Sequence, residues 1–268
     1  MPQVYETVDY REENGVAWVT LNRPAVLNSF NTTMLSELRS IWQGLRSTQT
    51  VRCIVLTGAG DRAFCTGIDR NDFPSDTSRM NSLSNKFHTD DLGTSLGPKT
   101  NDLWIPVIAA VNGMACGGAF YMLGECDFII ASETATFFDP HVTTGLAAVY
   151  ESMHMLQKMP FHEIMRVALM GSHERMSARR AYEVGLVSEI VTPQDLHEHV
   201  RWAAEAIASQ PALAVQGTVR ALWLARQVGT QQALAAGPLL LGIANEAASV
   251  AEGQAKFMSG QRPKWRLR

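Results

Sequence analysis

The chain has 268 residues, of which 46% are hydrophobic and 18% charged, an ordinary balance for a globular protein. This length suffices for one large domain, or for one domain with a helical appendage. A net charge of −3 without a basic run argues against nucleic acid as a partner. No apolar run is long enough to span a bilayer, and Met1–Asn14 is polar and acidic, unlike a signal or transit peptide. We therefore expect a cytoplasmic protein that binds neither nucleic acid nor membrane.

The cysteines lie in apolar strands or near glycine turns, and their spacing is not that of metal ligands. They are Cys53, Cys65, Cys116 and Cys126. Reduced core thiols are typical of a cytosolic protein. The sequence therefore predicts no metal site.

The first sixty residues predict a hairpin, a helix and a third strand. Val4–Tyr10 and Val16–Leu21 are strand-like and are joined by a Glu-Glu-Asn-Gly turn. Asn31 can cap a helix over Thr32–Ser47, which has one apolar face at helical spacing. Val51–Gly58 is the next predicted strand.

A glycine-rich stretch in the middle of the chain is the strongest local signal. Val107–Val111 predicts a buried strand that ends in an Asn-Gly turn, and Asp127–Ala131 predicts another. Between them, Gly117 and Gly118 precede a short apolar helix over Ala119–Gly124. A glycine turn at a helix start can bring free N–H groups close to an oxyanion, or it can merely let the helix pack on a strand. The pattern is neither G-x-G-x-x-G nor a P-loop, which argues against a nucleotide phosphate site.

The flanking regions differ in character. Asn71–Thr100 is rich in Ser, Asp, Asn and Thr, which predicts a mobile loop or frayed helix, with His88, Asp90 and Asp91 as solvated surface. The second half of the chain becomes helical, and Thr192–Asp195 resembles a capping box. The predicted elements are helices over Phe161–Met170, Ser177–Val184, Pro193–Ser209, Ala212–Arg226 and Thr230–Val250, and a short strand over Ser188–Val191.

Two separated motifs together resemble one known family. They are VRCIVLTGAG followed by DRAFCTGID, and IPVIAAVNGMACGGAF, with LNRPAVLNSF before them and RPKW near the end. Their order and separation are similar to those of the crotonase, or enoyl-CoA hydratase/isomerase, family. The resemblance implies an α/β fold with a crotonase-like β/α spiral core over residues 1–200. It also implies a C-terminal helical region over residues 201–268 that packs between subunits of a homotrimer, often paired into a homohexamer.

The resemblance also implies an acyl-CoA substrate, so that coenzyme A enters as part of the substrate and no separate cofactor is needed. Backbone N–H groups of Ile68 and Gly118 would stabilise the thioester enolate oxygen in an oxyanion hole. The loop that carries Arg23-Pro24 would lie against the adenosine end of coenzyme A, although a basic residue often stands where this chain has Ala25. Arg23-Pro24 is otherwise a plain strand terminator. The residues implied in coenzyme A binding are Arg23, Pro24, Ala25, Val26, Cys65 and Ile68.

The chain departs from the family pattern where the hydratases carry two glutamates. Tyr121 and His141 stand at those positions, which puts simple hydratase chemistry in doubt. His141 can exchange a proton near neutral pH, or it can be structural. Tyr121 is a hydrogen-bond donor or an aromatic filler of the helix face. Glu151 is the candidate catalytic carboxylate, and Asp139 orients His141 or caps a turn.

Three functions follow as hypotheses. The leading one is an acyl-CoA enzyme of the hydratase/isomerase type, a lyase or isomerase with altered side chains. The second is a His-dependent hydrolase of a β-dicarbonyl or CoA thioester substrate. The third is a coenzyme A-binding protein without catalysis. Turnover of acyl thioesters separates the first from the third.

Overall fold

The computed structural model describes residues 4–72, 92–260, 262–263 and 265–268, and a six-stranded sheet forms its centre. The strand order is β1-β2-β3-β5-β7-β10, with β1 antiparallel to β2 and every other neighbouring pair parallel. The bounds are β1 Val8–Glu13, β2 Val16–Leu21, β3 Cys53–Gly58, β5 Val107–Val111, β7 Phe128–Ser132 and β10 Glu189–Val191.

After β3, β5 and β7, the chain passes from the first sheet into a second, four-stranded sheet. Its strand order is β4-β6-β8-β9. Along the chain, β4 follows β3, β6 follows β5, and β8 follows β7, so that successive strands alternate between the two sheets. The chain therefore coils, placing one long and one short strand in each turn, as a β/α spiral does. The bounds are β4 Ala63–Cys65, β6 Met114–Cys116, β8 Thr136–Phe138 and β9 Met176–Ser177.

Helices lie between the strands and dominate the second half of the chain. They are α1 Thr32–Leu45, α2 Ala119–Glu125, α3 Tyr150–Leu156, α4 Phe161–Met170, α5 Ala178–Glu183, α6 Leu196–Ala208, α7 Ala212–Gln227, α8 Thr230–Ala244 and α9 Ala247–Met258. Short 3-10 helices cover Pro24–Val26, Leu92–Ser95, Val142–Thr144 and Gly171–His173.

The core has two apolar clusters because both faces of the large sheet are covered. In β3, Ile54 and Leu56 point into the larger cluster, which includes α1 and α2, while Cys53 and Val55 face the smaller cluster under α6. A parallel strand buried on both faces needs apolar residues at every position. This requirement explains the continuous apolar run of β3 and the fully buried β5.

The helices α7 to α9 are mostly exposed. Only Ala244 is buried among the residues of these three helices, and they expose large apolar side chains such as Leu234, Leu239 and Phe257. Within the described ranges, no single helix is long and apolar enough to cross a membrane; α8 and α9 meet that test only as a pair, bent by 76°. Trimer or hexamer assembly stays a prediction, and so does the domain boundary at residues 200 and 201.

Several predicted elements are confirmed, some with shifted ends. The strand over Val107–Val111 and the helix over Phe161–Met170 match the prediction, and Asn31 caps α1 through the N–H of Met34 at 2.9 Å. The first strand lies later than predicted. Asn14 and Gly15 have positive φ, 53° and 77°, and form a two-residue turn that sets the pairing from Val8–Glu13 onward.

Other predictions were wrong in detail. The helix predicted from Pro193 begins at Leu196, because Thr192 and Asp195 bond each other in a preceding turn. The helix predicted over Thr230–Val250 is broken, because Asn245 leaves the helical conformation at φ −93° and ψ 43°. The helix α3 and the strands β4, β6 and β8 were not predicted. Most of the predicted loop Asn71–Thr100, including His88, Asp90 and Asp91, lies outside the described residues.

Asn28 connects the loop after β2 to the turn after β3. It is completely buried, and its side-chain amide donates to the carbonyls of Ala59 and Ala63 at 2.9 and 2.8 Å. Its Oδ1 accepts from the N–H of Arg23 at 3.0 Å. This single side chain therefore forms hydrogen bonds with three backbone groups: the N–H of Arg23 and the carbonyls of Ala59 and Ala63.

Replacing Asn28 with Ala should lower the free energy of unfolding by roughly 2–4 kcal/mol, because the N–H of Arg23 and the carbonyl of Ala59 lose this partner and the carbonyl of Ala63 keeps only Asn112, at 3.2 Å. Chemical denaturation measures this. Asn14→Ala is a matched control, because Asn14 also has positive φ but makes only an exposed bond, to Glu205 at 3.0 Å. Equal losses in the two variants would show that backbone conformation, and not the buried hydrogen bonds, is responsible.

Candidate active site

Two glycine turns meet at the carboxyl ends of β4 and β6. Gly67 has φ 84° and Gly117 has φ 54°, both in the left-handed region that favours glycine. A Cβ on Gly67 would stand 3.0 Å from the backbone nitrogen of Gly118. A Cβ on Gly118 would stand 2.5 Å from the Phe30 ring. The two turns can approach this closely only because neither residue carries a side chain.

The amides predicted as oxyanion donors lie in these turns. Neither the N–H of Ile68 nor that of Gly118 donates a hydrogen bond to any of the described residues. The adjacent amides of Asp69 and Gly117 are paired with backbone carbonyls, at 2.9 and 3.3 Å. An amide left without a partner beside paired neighbours is available to an external acceptor.

His141 lies next to the Gly117-Gly118 turn. It follows β8 and Asp139-Pro140, and its Cε1 would be 3.6 Å from a Cβ on Gly117. The backbone N–H of His141 donates to Asp139 Oδ1 at 3.0 Å, and its Nδ1 lies 2.5 Å from the same oxygen. The ring is therefore fixed by its own turn and faces the Gly117-Gly118 backbone.

Glu151 lies on the other side of the imidazole. It is in the first turn of α3, is largely buried, and places Oε1 at 3.4 Å from His141 Nε2. His141 is thus flanked by carboxylates at both ring nitrogens, with 21% of its side chain exposed and Asp139 completely buried. The structure brings together two of the predicted site residues, His141 and Glu151, and joins Asp139 to them.

These carboxylates set the charge of the imidazole. The hydrogen bond with Asp139 raises the pKa of His141, and the negative charges of Asp139 and Glu151 raise it further. Burial and the nearby Arg70 act in the opposite direction without reversing the shift. The protonated form therefore persists to higher pH than in a free histidine, which favours a role as proton donor.

Tyr121 is held by packing. Its ring makes an edge contact with His154 of α3 at 5.5 Å between centroids, and its Cε1 would be only 2.0 Å from a Cβ on Gly93. Tyr121 is 7% exposed. These contacts place the ring between α3 and the 3-10 helix that begins at Leu92.

The loop predicted to contact coenzyme A is tied down by its arginine. Arg23 pairs with Asp69 at 2.8 Å and donates to the carbonyl of Ser29 at 2.7 Å. The 3-10 helix Pro24–Val26 projects from this anchor, with Val26 exposed. The guanidinium therefore connects the loop to the residue after Ile68, and its charge is already matched by a carboxylate.

Cys65 and the other thiols are buried and weakly acidic. Burial raises the pKa of each cysteine to about 12, and Cys65 Sγ accepts from the N–H of Gly67 at 3.4 Å. A thiolate nucleophile is thereby excluded near neutral pH. Among the described residues, no group of three His, Cys, Asp or Glu side chains is arranged to hold a metal ion.

Sequence reasoning missed two residues that shape the site. Phe30 covers Gly118, and its backbone bridges the turn, accepting from Asp69 and donating to Gly67 at 2.9 and 2.8 Å. Asn28 bonds the carbonyl of Ala63 at the start of β4, the strand that leads into this turn. Both lie in the LNSF segment, where the polar pair Asn28-Ser29 between Leu27 and Phe30 gives no local sign of this role.

Comparisons with known proteins point to one family. A family model described as enoyl-CoA hydratase/isomerase matches residues 11–268. The chain is 35% identical to an (E)-benzylidenesuccinyl-CoA hydratase from Thauera aromatica, over 94% of this chain and 96% of the relative. It is 35% identical to a 1,2-epoxyphenylacetyl-CoA isomerase from Escherichia coli, over 74% and 75%. A crystal structure of an enoyl-CoA hydratase/isomerase from Mycobacterium paratuberculosis superposes with a TM-score of 0.85, at 36% identity, covering 98% of this chain and 99% of the other.

Proposed function

Because the chain belongs to the enoyl-CoA hydratase/isomerase family, we propose that it transfers protons at the carbons beside an acyl-CoA thioester, with His141 as the acid–base group. The membership confirms both the resemblance in the sequence and the crotonase-like fold. The chain is thus an acyl-CoA enzyme of this type. The observation that carries the finer proposal is the Asp139–His141–Glu151 arrangement beside the Gly117-Gly118 turn.

The free amides of Ile68 and Gly118 would stabilise the enolate oxygen. Conversion of the thioester to an enolate places negative charge on the carbonyl oxygen, and donors already in position stabilise that charge without reorganisation. Both amides lack partners among the described residues, and their turns are in contact. This supports an oxyanion hole formed by the two turns.

His141 and Glu151 would divide the proton transfers. In a hydration, Glu151 takes a proton from water as the oxygen adds to the β-carbon, and the Nε2–H of His141 gives a proton to the α-carbon of the enolate. The raised pKa of His141 suits the donor role, and a carboxylate oxygen of Glu151 lies 3.4 Å from Nε2. Tyr121, in α2, would either fill space by packing or donate a hydrogen bond from its hydroxyl to the substrate.

The coenzyme A part of the substrate would lie along the loop after β2. Pro24, Ala25 and Val26 offer an exposed surface there, and Arg23 anchors it through Asp69. The backbone near Cys65 and Ile68 would lie beside the thioester. Assembly as a trimer or hexamer is part of the same proposal.

A hydrolase is the second candidate, and the His141–Asp139 pair is the observation that favours it. A histidine oriented by a carboxylate is the arrangement that activates water or a nucleophile in many hydrolases. The two reactions differ in product. Hydrolysis of a CoA thioester releases a free thiol, whereas hydration removes the enoyl absorbance and leaves the thioester intact.

Crotonyl-CoA hydration should be weak compared with a family hydratase that carries both glutamates, because Tyr121 and His141 replace them. The measurement is the loss of enoyl absorbance across a panel that includes crotonyl-CoA and (E)-benzylidenesuccinyl-CoA, with thiol release followed in parallel. A kcat/KM for crotonyl-CoA near the diffusional range of about 10⁸ M⁻¹s⁻¹ would contradict the assignment of the site. Coenzyme A binding without turnover of any thioester would support a non-catalytic protein instead.

Replacing His141 with Ala should lower kcat roughly 10²–10⁴-fold on the best substrate of that panel, the usual size of a general acid–base contribution. Coenzyme A affinity should change little. Because protonated His141 is the donor, the wild-type rate should fall as pH rises through the pKa of His141. The variant should lack this high-pH limb of the pH–rate profile. His162→Ala is the control, since that side chain is 78% exposed. An unchanged rate and pH profile in His141→Ala would make His141 structural.

A further inference from the structure

We propose that Asp139 is a positioning residue that holds the Nδ1 proton of His141, so that Nε2 exchanges a proton with Glu151 and the three side chains form one relay. This inference rests on the proposed function, because it assigns a role within the same site. It concerns how His141 is oriented and how it is reset after each turnover.

Among the described residues, Asp139 makes hydrogen bonds only with His141. One oxygen, Oδ1, accepts both from the backbone N–H of His141 at 3.0 Å and from Nδ1 at 2.5 Å. The other oxygen, Oδ2, is buried and has no hydrogen-bond partner among the described residues. A completely buried carboxylate needs a compensating charge, and the imidazole is the group placed to supply it.

The other charged groups near the ring do not replace this pairing. Arg70, in the turn after Ile68, disfavours the protonated imidazole, and Glu151 favours it from α3. Cys116 lies beside Asp139 on β6, but its thiol is neutral because burial raises its pKa to about 12. Arg175 stacks on the Phe138 ring at 4.6 Å. Asp139 is therefore the group that fixes which ring nitrogen carries the proton.

The relay closes the proton balance of the proposed reaction. When Nε2–H gives its proton to the α-carbon, His141 becomes neutral with its remaining proton on Nδ1, held by Asp139. Glu151, which has taken a proton from water, can return that proton to Nε2 across the 3.4 Å gap. Water has then been added as hydroxide and a proton, and all three side chains are restored.

NMR measures the tautomer and the pKa of the His141 imidazole directly, in the free protein without substrate. Histidines labelled at Nδ1, Nε2 and Cε1 are titrated by NMR, with His141 assigned from the His141→Ala spectrum. Above its pKa, wild-type His141 should be the Nδ1–H tautomer, and Asp139→Asn should lower its pKa. The Nε2–H tautomer in the wild type would overturn the proposal, even if the variant did not fold.

Kinetics give the second readout. Asp139→Asn should lower kcat roughly 10²–10⁴-fold with KM little changed, and should move the high-pH limb to lower pH. The control is Glu163→Gln, a buried acid that pairs with Arg180 and should leave the limb in place. If the high-pH limb did not move in Asp139→Asn, the positioning role of Asp139 would be contradicted. If the NMR results hold but His141→Ala keeps full activity, the proposed function fails while the pairing stands.

Discussion

The close approach of two backbone turns is the constraint on which the site depends. Gly67 and Gly118 touch where any side chain would collide with a backbone atom or with Phe30. The spiral makes this approach possible, because β4 and β6 are parallel neighbours and deliver their following turns to the same end of the second sheet. Among the described residues, the amides of Ile68 and Gly118 in these two turns have no hydrogen-bond partner.

The same second sheet delivers the titratable groups. Strand β8 pairs with β6 and places Asp139-Pro140-His141 beside the Gly117-Gly118 turn. Helix α3 contributes Glu151 from the opposite side of the imidazole. An imidazole between two carboxylates thus lies beside the two glycine turns. The proposed oxyanion site and the proposed proton-transfer site follow the neighbouring strands β6 and β8, so one can change while the other is kept.

The sequence was sufficient for the elements with long apolar runs and for the glycine motifs. It predicted β5 and α4 with their bounds, and the resemblance to the family pointed to Ile68, Gly118 and His141. It did not reveal β4, β6 and β8, because a three-residue strand shows no measurable alternation. It left Asp139 undecided, because only tertiary structure shows that this side chain is buried with His141 as its partner.

We expect both turns to bind one oxygen of the substrate. A crystal structure with acetoacetyl-CoA, whose enolate resembles the proposed intermediate, tests this most directly. The thioester oxygen should lie at roughly 2.7–3.1 Å from the backbone nitrogens of both Ile68 and Gly118, with His141 Nε2 facing the α-carbon. A thioester oxygen bound away from either amide would contradict it.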